Sequence, residues 1–163
     1  MEPLHAPWRI EYILAPKPPP AGESLFTRIA QSNDDEGNLV ICRTRLSFAV
    51  LNRYPYTGGH LMVVPYRQVA DLNGLTEEEL LDLMKLVCRC RNALGQTMKP
   101  DGFNLGINLG RVAGAGIEEH VHVHVVPRWN GDTNFMPVLG STTVVPEALK
   151  DVAARLRRAL ADA

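Results

Sequence analysis

The chain has 163 residues, with 17 Lys and Arg against 18 Asp and Glu and a formal charge of −1; that is length for one domain with a core able to hold a fixed site, not for two ordinary domains. The near balance of charge supplies no basic face for duplex nucleic acid or an anionic membrane, so any phosphate binding has to be local. No apolar stretch approaches a membrane span or a secretory signal, and Cys42, Cys88 and Cys90 form no CxxC pair, which points to a soluble cytoplasmic protein with reduced thiols.

Residues 1–23 read as a proline-rich arm, because six prolines in the first twenty positions, ending in Pro18-Pro19-Pro20, can continue neither a helix nor a central strand. Residues 24–163 then form a single domain. Gln31 to Asn38 is a turn by composition, Leu39 to Arg43 and Phe48 to Leu51 suit strands, and His60 to Val64 is a third strand closed by Pro65. This half reads as an antiparallel meander that requires no helix. Thr76-Glu77-Glu78-Glu79 forms a capping box, after which Leu80, Leu81, Met84, Val87 and Cys88 recur at helical spacing until Gly95 supplies a stop. Cys88 and Cys90 fall on different faces of that helix. Phe103 to Leu109 and His120 to Val126 follow as strands, joined by a glycine-rich turn from Gly110 to Gly116. Pro146 opens a last amphipathic helix with Leu149, Val152, Leu156 and Leu160 along one stripe. Five antiparallel strands with one long helix and a C-terminal helix make an α+β domain.

The informative segment is Glu119-His120-Val121-His122-Val123-His124-Val125-Val126-Pro127. Read as a strand, it projects His120, His122 and His124 from one face at spacings of about 7 Å and the valines from the other. An ordinary core or surface role has to explain three of the chain's five histidines on one face. A metal site is the rival chemistry, since neutral imidazole binds zinc, copper or nickel and His60 or Glu119 could complete a shell; what is missing is a second compact cluster of Cys, Asp or His. The chemistry these residues suit better is attack on phosphorus. A histidine nitrogen can form a labile phosphoramidate if a partner fixes its tautomer and the charged oxygens are held. Glycines at 114 and 116, just before the histidines, would let backbone N–H groups approach an anion.

His120-Val121-His122-Val123-His124-Val125-Val126 resembles the histidine triad superfamily, whose signature is His-φ-His-φ-His-φ-φ with φ apolar. Leu51-Asn52-Arg53-Tyr54-Pro55-Tyr56-Thr57-Gly58-Gly59-His60 is similar to the superfamily's asparagine, proline and glycine-histidine pattern. The segments 6–12, 108–117 and 126–137 resemble the bacterial diadenosine tetraphosphate phosphorylase or hydrolase branch, akin to the fragile histidine triad group, so nearly the whole chain is covered.

The resemblance implies a fold in which the sheet extends across a homodimer, a small-molecule nucleotide substrate, and no nucleic acid or membrane partner. It implies that His122 attacks the α-phosphorus and becomes adenylylated while His120 and His124 support it and contact phosphate oxygens. His60 closes the other side of the site, Asn52 contacts ribose, Asn108 binds near the scissile phosphate, and the turn Gly114-Ala115-Gly116-Ile117 meets phosphate. Trp129 would pack over a base or at a subunit interface. The reaction implied is cleavage of a dinucleoside polyphosphate with water or phosphate as acceptor. A phosphoramidase of the same superfamily, or a nucleotide-binding module with feeble catalysis, are the alternatives. No resident cofactor is expected, and a divalent cation such as Mg2+ would only accompany the substrate. One departure stands out: many relatives bind structural zinc through a Cys-x-x-Cys pair and histidines, but Ser24-Leu25-Phe26-Thr27 falls where that pair would lie. Two hydroxyls do not replace two thiolates for zinc, so this metal is not expected.

Overall fold

In the computed structural model, which describes residues 22–133 and 147–161, the apolar runs become five antiparallel strands: β1 (Val40–Arg43), β2 (Ser47–Leu51), β3 (Leu61–Pro65), β4 (Gly102–Ile107) and β5 (Val123–Arg128). Their order in the sheet is β1-β2-β3-β5-β4. The proline-rich arm through residue 21, Pro146, and residues 134–145 lie outside the described residues. Three helices flank the sheet: α1 (Leu25–Gln31), α2 (Glu77–Met98) and α3 (Leu149–Ala161). No helix among the described residues is long and apolar enough to cross a membrane.

The sheet is covered on both faces, which is why all five residues of β2 are buried. Ala49, Leu51, Leu61 and Val63 point to one side, where Leu83, Leu86 and Leu94 of α2 and Val152 and Leu156 of α3 complete the larger core. Phe48, Val50 and Val64 point to the other, where Phe26 and Ile29 of α1 close a smaller one. The register Met62↔His124 between β3 and β5 puts His124 on the α1 side. The candidate site residues therefore lie on the α1 face, the one with the smaller core among the described residues.

Four expectations need correction. The stripe expected on the long helix is not its buried face: Leu81, Met84 and Cys88 are exposed, and Leu83, Leu86, Cys90 and Leu94 face the core with Val87 instead. The first half does contain a helix. Ser24 caps α1 by accepting the Thr27 N–H, and Phe26 and Ile29 one turn apart supply its buried stripe; seven residues hold too few apolar positions to show a period. The long helix does not stop at Gly95 but runs to Met98, and ends where Lys99 takes the left-handed conformation (φ 48°) before Pro100. Leu94 is buried in the larger core with Met98 packed against it, which outweighs the roughly 1 kcal/mol a helical glycine costs. Finally, β5 begins at Val123, so only His124 of the three histidines lies in the strand. Pro65 is the reason: it has no N–H to extend the β3–β5 ladder, and the chain at Val121 donates instead to the Val69 carbonyl at 2.7 Å.

Candidate active site

His122 is 4% exposed and lines a cavity of about 250 Å³ on the α1 face. Its Nδ1 lies 2.9 Å from the main-chain oxygen of His120. A carbonyl only accepts, so the Nδ1 carries the proton and the lone pair is left on Nε2. Burial lowers the His122 pKa below the ordinary histidine value, a shift only partly offset by the carbonyl contact, so the ring is neutral at neutral pH. A neutral imidazole with its tautomer held is the nucleophilic form.

His124 sits beside it, with ring centroids 4.8 Å apart. The Tyr56 N–H donates to His60 Nδ1 at 3.2 Å, so His60 holds its proton on Nε2 and donates to His124 Nδ1 at 2.9 Å. With its Nδ1 accepting, His124 bears its proton on Nε2 and is a hydrogen-bond donor there. His60 is fully buried and sits behind His124 rather than in the cavity lining. Asn52 lines the cavity; its Oδ1 accepts the Tyr54 N–H at 2.9 Å and its Nδ2 lies 3.4 Å from His60 Nδ1. Gly59, immediately before His60, has φ +80°, and a Cβ there would stand 2.6 Å from Met98 Sδ. Glycine is required where this loop closes against the end of α2.

His120 lies further back. It is fully buried, donates from Nε2 to the Pro65 carbonyl at 2.8 Å, and has Ser24 Oγ 2.6 Å from Nδ1. Burial is also the main cause that lowers its pKa. Ser24 in turn is linked to Thr27 and Gln68, whose Oε1 accepts the Thr27 hydroxyl at 2.8 Å and the Ser24 N–H at 2.9 Å. This donor set of two hydroxyls, an amide and one imidazole does not fit structural zinc. Among the described residues no three His, Cys, Asp or Glu side chains group to hold a metal.

The cavity lining is mixed: Leu25, Phe26, Ile29, Val50, Met62 and Ile117 are apolar, while Asn38, Asn52, Arg53 and Tyr54 join Gly114, Gly116, His122 and His124 in it. Gly114 (φ +89°) turns the chain toward it. The expected anion cradle is narrower than the sequence implied: the Gly114 and Ala115 amides donate back to Arg111 and Gly110 at 3.0 and 3.3 Å. The Gly116 and Ile117 amides have no acceptor among the described residues. Asn108, near Gly114, and the buried Ala115 are not in the lining, and neither is half-buried Trp129, whose N–H donates to Asp132 at 3.1 Å. The α1 residues of the lining went unread, since that helix was not expected. The N-cap Ser24 followed by Phe26 and Ile29 was the available signal.

A lone-pair nitrogen, a proton-bearing neighbour and an adjoining cavity on an α+β scaffold form an arrangement chemically suited to histidine-mediated group transfer. The chain belongs to the HIT domain family, whose pattern matches residues 34–131. A Mycobacterium tuberculosis protein named AP-4-A phosphorylase is 44% identical over 154 residues, spanning 91% of this chain and 78% of that one. A Schizosaccharomyces pombe protein named asymmetrical bis(5'-nucleosyl)-tetraphosphatase is 38% identical over 96 residues, 59% of this chain and 52% of that one. Among solved structures, a Zn-bound histidine triad family protein from Mycobacterium smegmatis aligns with a TM-score of 0.70 at 27% identity, covering 86% of this chain and 94% of that one.

Proposed function

We propose that this chain cleaves dinucleoside polyphosphates such as diadenosine tetraphosphate by transferring a nucleotidyl group to His122, with inorganic phosphate as the second-step acceptor. The observation that carries the reading is the His122 tautomer: Nδ1–H is held on the His120 carbonyl at 2.9 Å in a buried residue on the cavity wall. Its Nε2 lone pair attacks the α-phosphorus. The P–N bond forms as the bond to the bridging oxygen breaks, and the nucleoside polyphosphate departs as an anion whose oxygen accepts a hydrogen bond from the His124 Nε2–H. An oxygen of the phosphate anion then attacks the same phosphorus and frees His122 as the P–N bond breaks, the His122 ring returning to its neutral form with the proton on Nδ1.

The apolar residues of the lining suit a base, and the Gly116 and Ile117 amides suit phosphate oxygens. Asn52 would meet the ribose, while Asn108 and Trp129 would need to approach on binding. The relative named AP-4-A phosphorylase favours phosphate over water as acceptor. We also read the chain as a cytoplasmic homodimer: the thiols of Cys42, Cys88 and Cys90 are free, and the edge strand β4 leaves Leu105 52% exposed, with Leu109 just beyond it 40% exposed. An unpaired apolar edge of this kind is suited to joining a second sheet.

The test is chromatography of products from diadenosine tetraphosphate with and without inorganic phosphate. ATP and ADP formed only with phosphate is the expected result. ATP and AMP irrespective of phosphate would replace the acceptor by water, and no cleavage would refute the proposed activity.

A further inference from the structure

The His120 carbonyl fixes the proton on His122, so whatever holds His120 bears on the reactive nitrogen. Both ring nitrogens of His120 are engaged. The Pro65 oxygen can only accept, which puts the proton on Nε2 and leaves Nδ1 an acceptor. The group facing Nδ1 at 2.6 Å is the hydroxyl of Ser24, a residue 2% exposed, which therefore donates to it. The same oxygen accepts the Thr27 N–H at 3.1 Å as the N-cap of α1. Among the described residues no second hydroxyl faces Nδ1, and the nearby Thr27 hydroxyl donates to Gln68.

We propose that Ser24 is a positioning residue for the reaction: by donating to His120 Nδ1 it locks the ring and tautomer of His120, and through the His120 carbonyl it holds His122 with its lone pair on Nε2. The proposal rests on the reading of His122 as nucleophile. Phe26, two residues along the same helix, meets the His120 ring edge-on at 5.6 Å and the His122 ring at 5.0 Å, so the helix that Ser24 caps also packs against both imidazoles.

The two duties of Ser24 have different chemical needs, and this separates them. A helix cap needs an acceptor, which Asp supplies and which glycine replaces at small cost. His120 Nδ1 needs a donor, which neither supplies. A carboxylate at position 24 would instead draw a proton onto Nδ1. The experiment compares the full-length protein with Ser24→Asp and Ser24→Gly, measuring turnover of diadenosine tetraphosphate with phosphate, thermal melting, and the protonation of both nitrogens of His120 and His122 by 15N NMR.

Both variants are expected to melt as folded domains and to lose about tenfold or more in kcat, with KM within about twofold of the parent, as follows when a catalytic ring is misaligned but the binding surface is kept. His120 Nδ1 is expected to be unprotonated in the parent and protonated in Ser24→Asp. Parental kcat in both variants would reduce Ser24 to a helix cap and overturn the proposal, as would a parent protein with the proton on His120 Nδ1. A parent that forms no nucleotidyl-histidine adduct by mass spectrometry refutes the underlying reading, and the proposal with it; that result is recorded on the parent alone.

Discussion

Truncating Phe26 to alanine tests whether α1 both stabilises the smaller core and keeps water from the reactive imidazole. Phe26 is 1% exposed and packs with Ile29, Val40, Phe48, Val50 and Val64, besides the two imidazole contacts. Removing a buried phenyl ring costs about 3–5 kcal/mol, of which each ring contact accounts for about 0.5–1.5 kcal/mol. Against a whole-domain stability of about 5–15 kcal/mol, the variant stays folded at 25 °C with a clearly lowered urea midpoint. Phe26→Leu keeps most of the volume and costs about 1–2 kcal/mol. The catalytic consequence has a definite sign. Burial lowers the His122 pKa, so a cavity that admits water beside the ring raises it toward the ordinary value. Since the neutral ring attacks, the acid limb of kcat/KM, which reports the free enzyme, moves to higher pH in Phe26→Ala and little in Phe26→Leu. The assay is kcat/KM between pH 4.5 and 8 beside urea unfolding at pH 7.5. A stability loss below about 1 kcal/mol would refute the packing, and an acid limb unmoved in Phe26→Ala would refute the claim that α1 desolvates His122.

His122→Ala is expected to abolish turnover while nucleotide binding stays measurable by calorimetry, because chemistry and recognition rest on different residues; parental turnover would end the covalent mechanism. Urea stability should fall as the pH drops below about 6.5, because His120 and His122 stay neutral in the fold while the unfolded chain takes up protons. The slope is at most about 1.4 kcal/mol per pH unit for each ring, flattening above pH 7, and stability constant from pH 7 to 5 would contradict the burial of both rings. Gly59→Ala should cost about 1–3 kcal/mol in thermal or urea unfolding, since it forces a side chain into a left-handed residue against Met98. A neutral outcome would mean the loop before His60 is not pinned to α2.

What was legible in the sequence had a period or a cap. Thr76 to Glu79 announced the start of α2, and the observed capping box is made by those residues; Val152, Leu156 and Leu160 announced the buried face of α3. The apolar runs between Leu39 and Val64, bounded by turn residues and Pro65, placed three strands within a residue or two. What failed had its cause elsewhere in the chain. The strand of histidines starts late because Pro65, over fifty residues upstream, ends the ladder. Gly95 does not end its helix because Leu94 and Met98 find partners in the core. The same limit applied to the site. The pattern of histidines identified the rings but not their order in depth, with His122 and His124 at the cavity and His120 and His60 behind them. That order comes from hydrogen bonds to Ser24, Pro65 and Tyr56, and no local spacing encodes those partners.

The two faces of the sheet carry unequal loads, and this bears on how the site can change. The larger core joins α2 and α3 to one face through about twenty buried residues, while six buried residues hold α1 to the other. Hydrophobic stabilisation scales with the apolar area buried, so among the described residues more of it lies on the side away from the histidines. Local opening is cheapest where few apolar contacts must break. The α1 face should therefore exchange its amide protons sooner than α2, with Phe26 and the Ser24 hydroxyl as the main restraints on that motion. A nucleotide entering between α1 and the His122 ring would bind where opening costs least. The fixed imidazoles, tied by His60, His120 and Pro65 to the central strands, would stay in register while the helix moves.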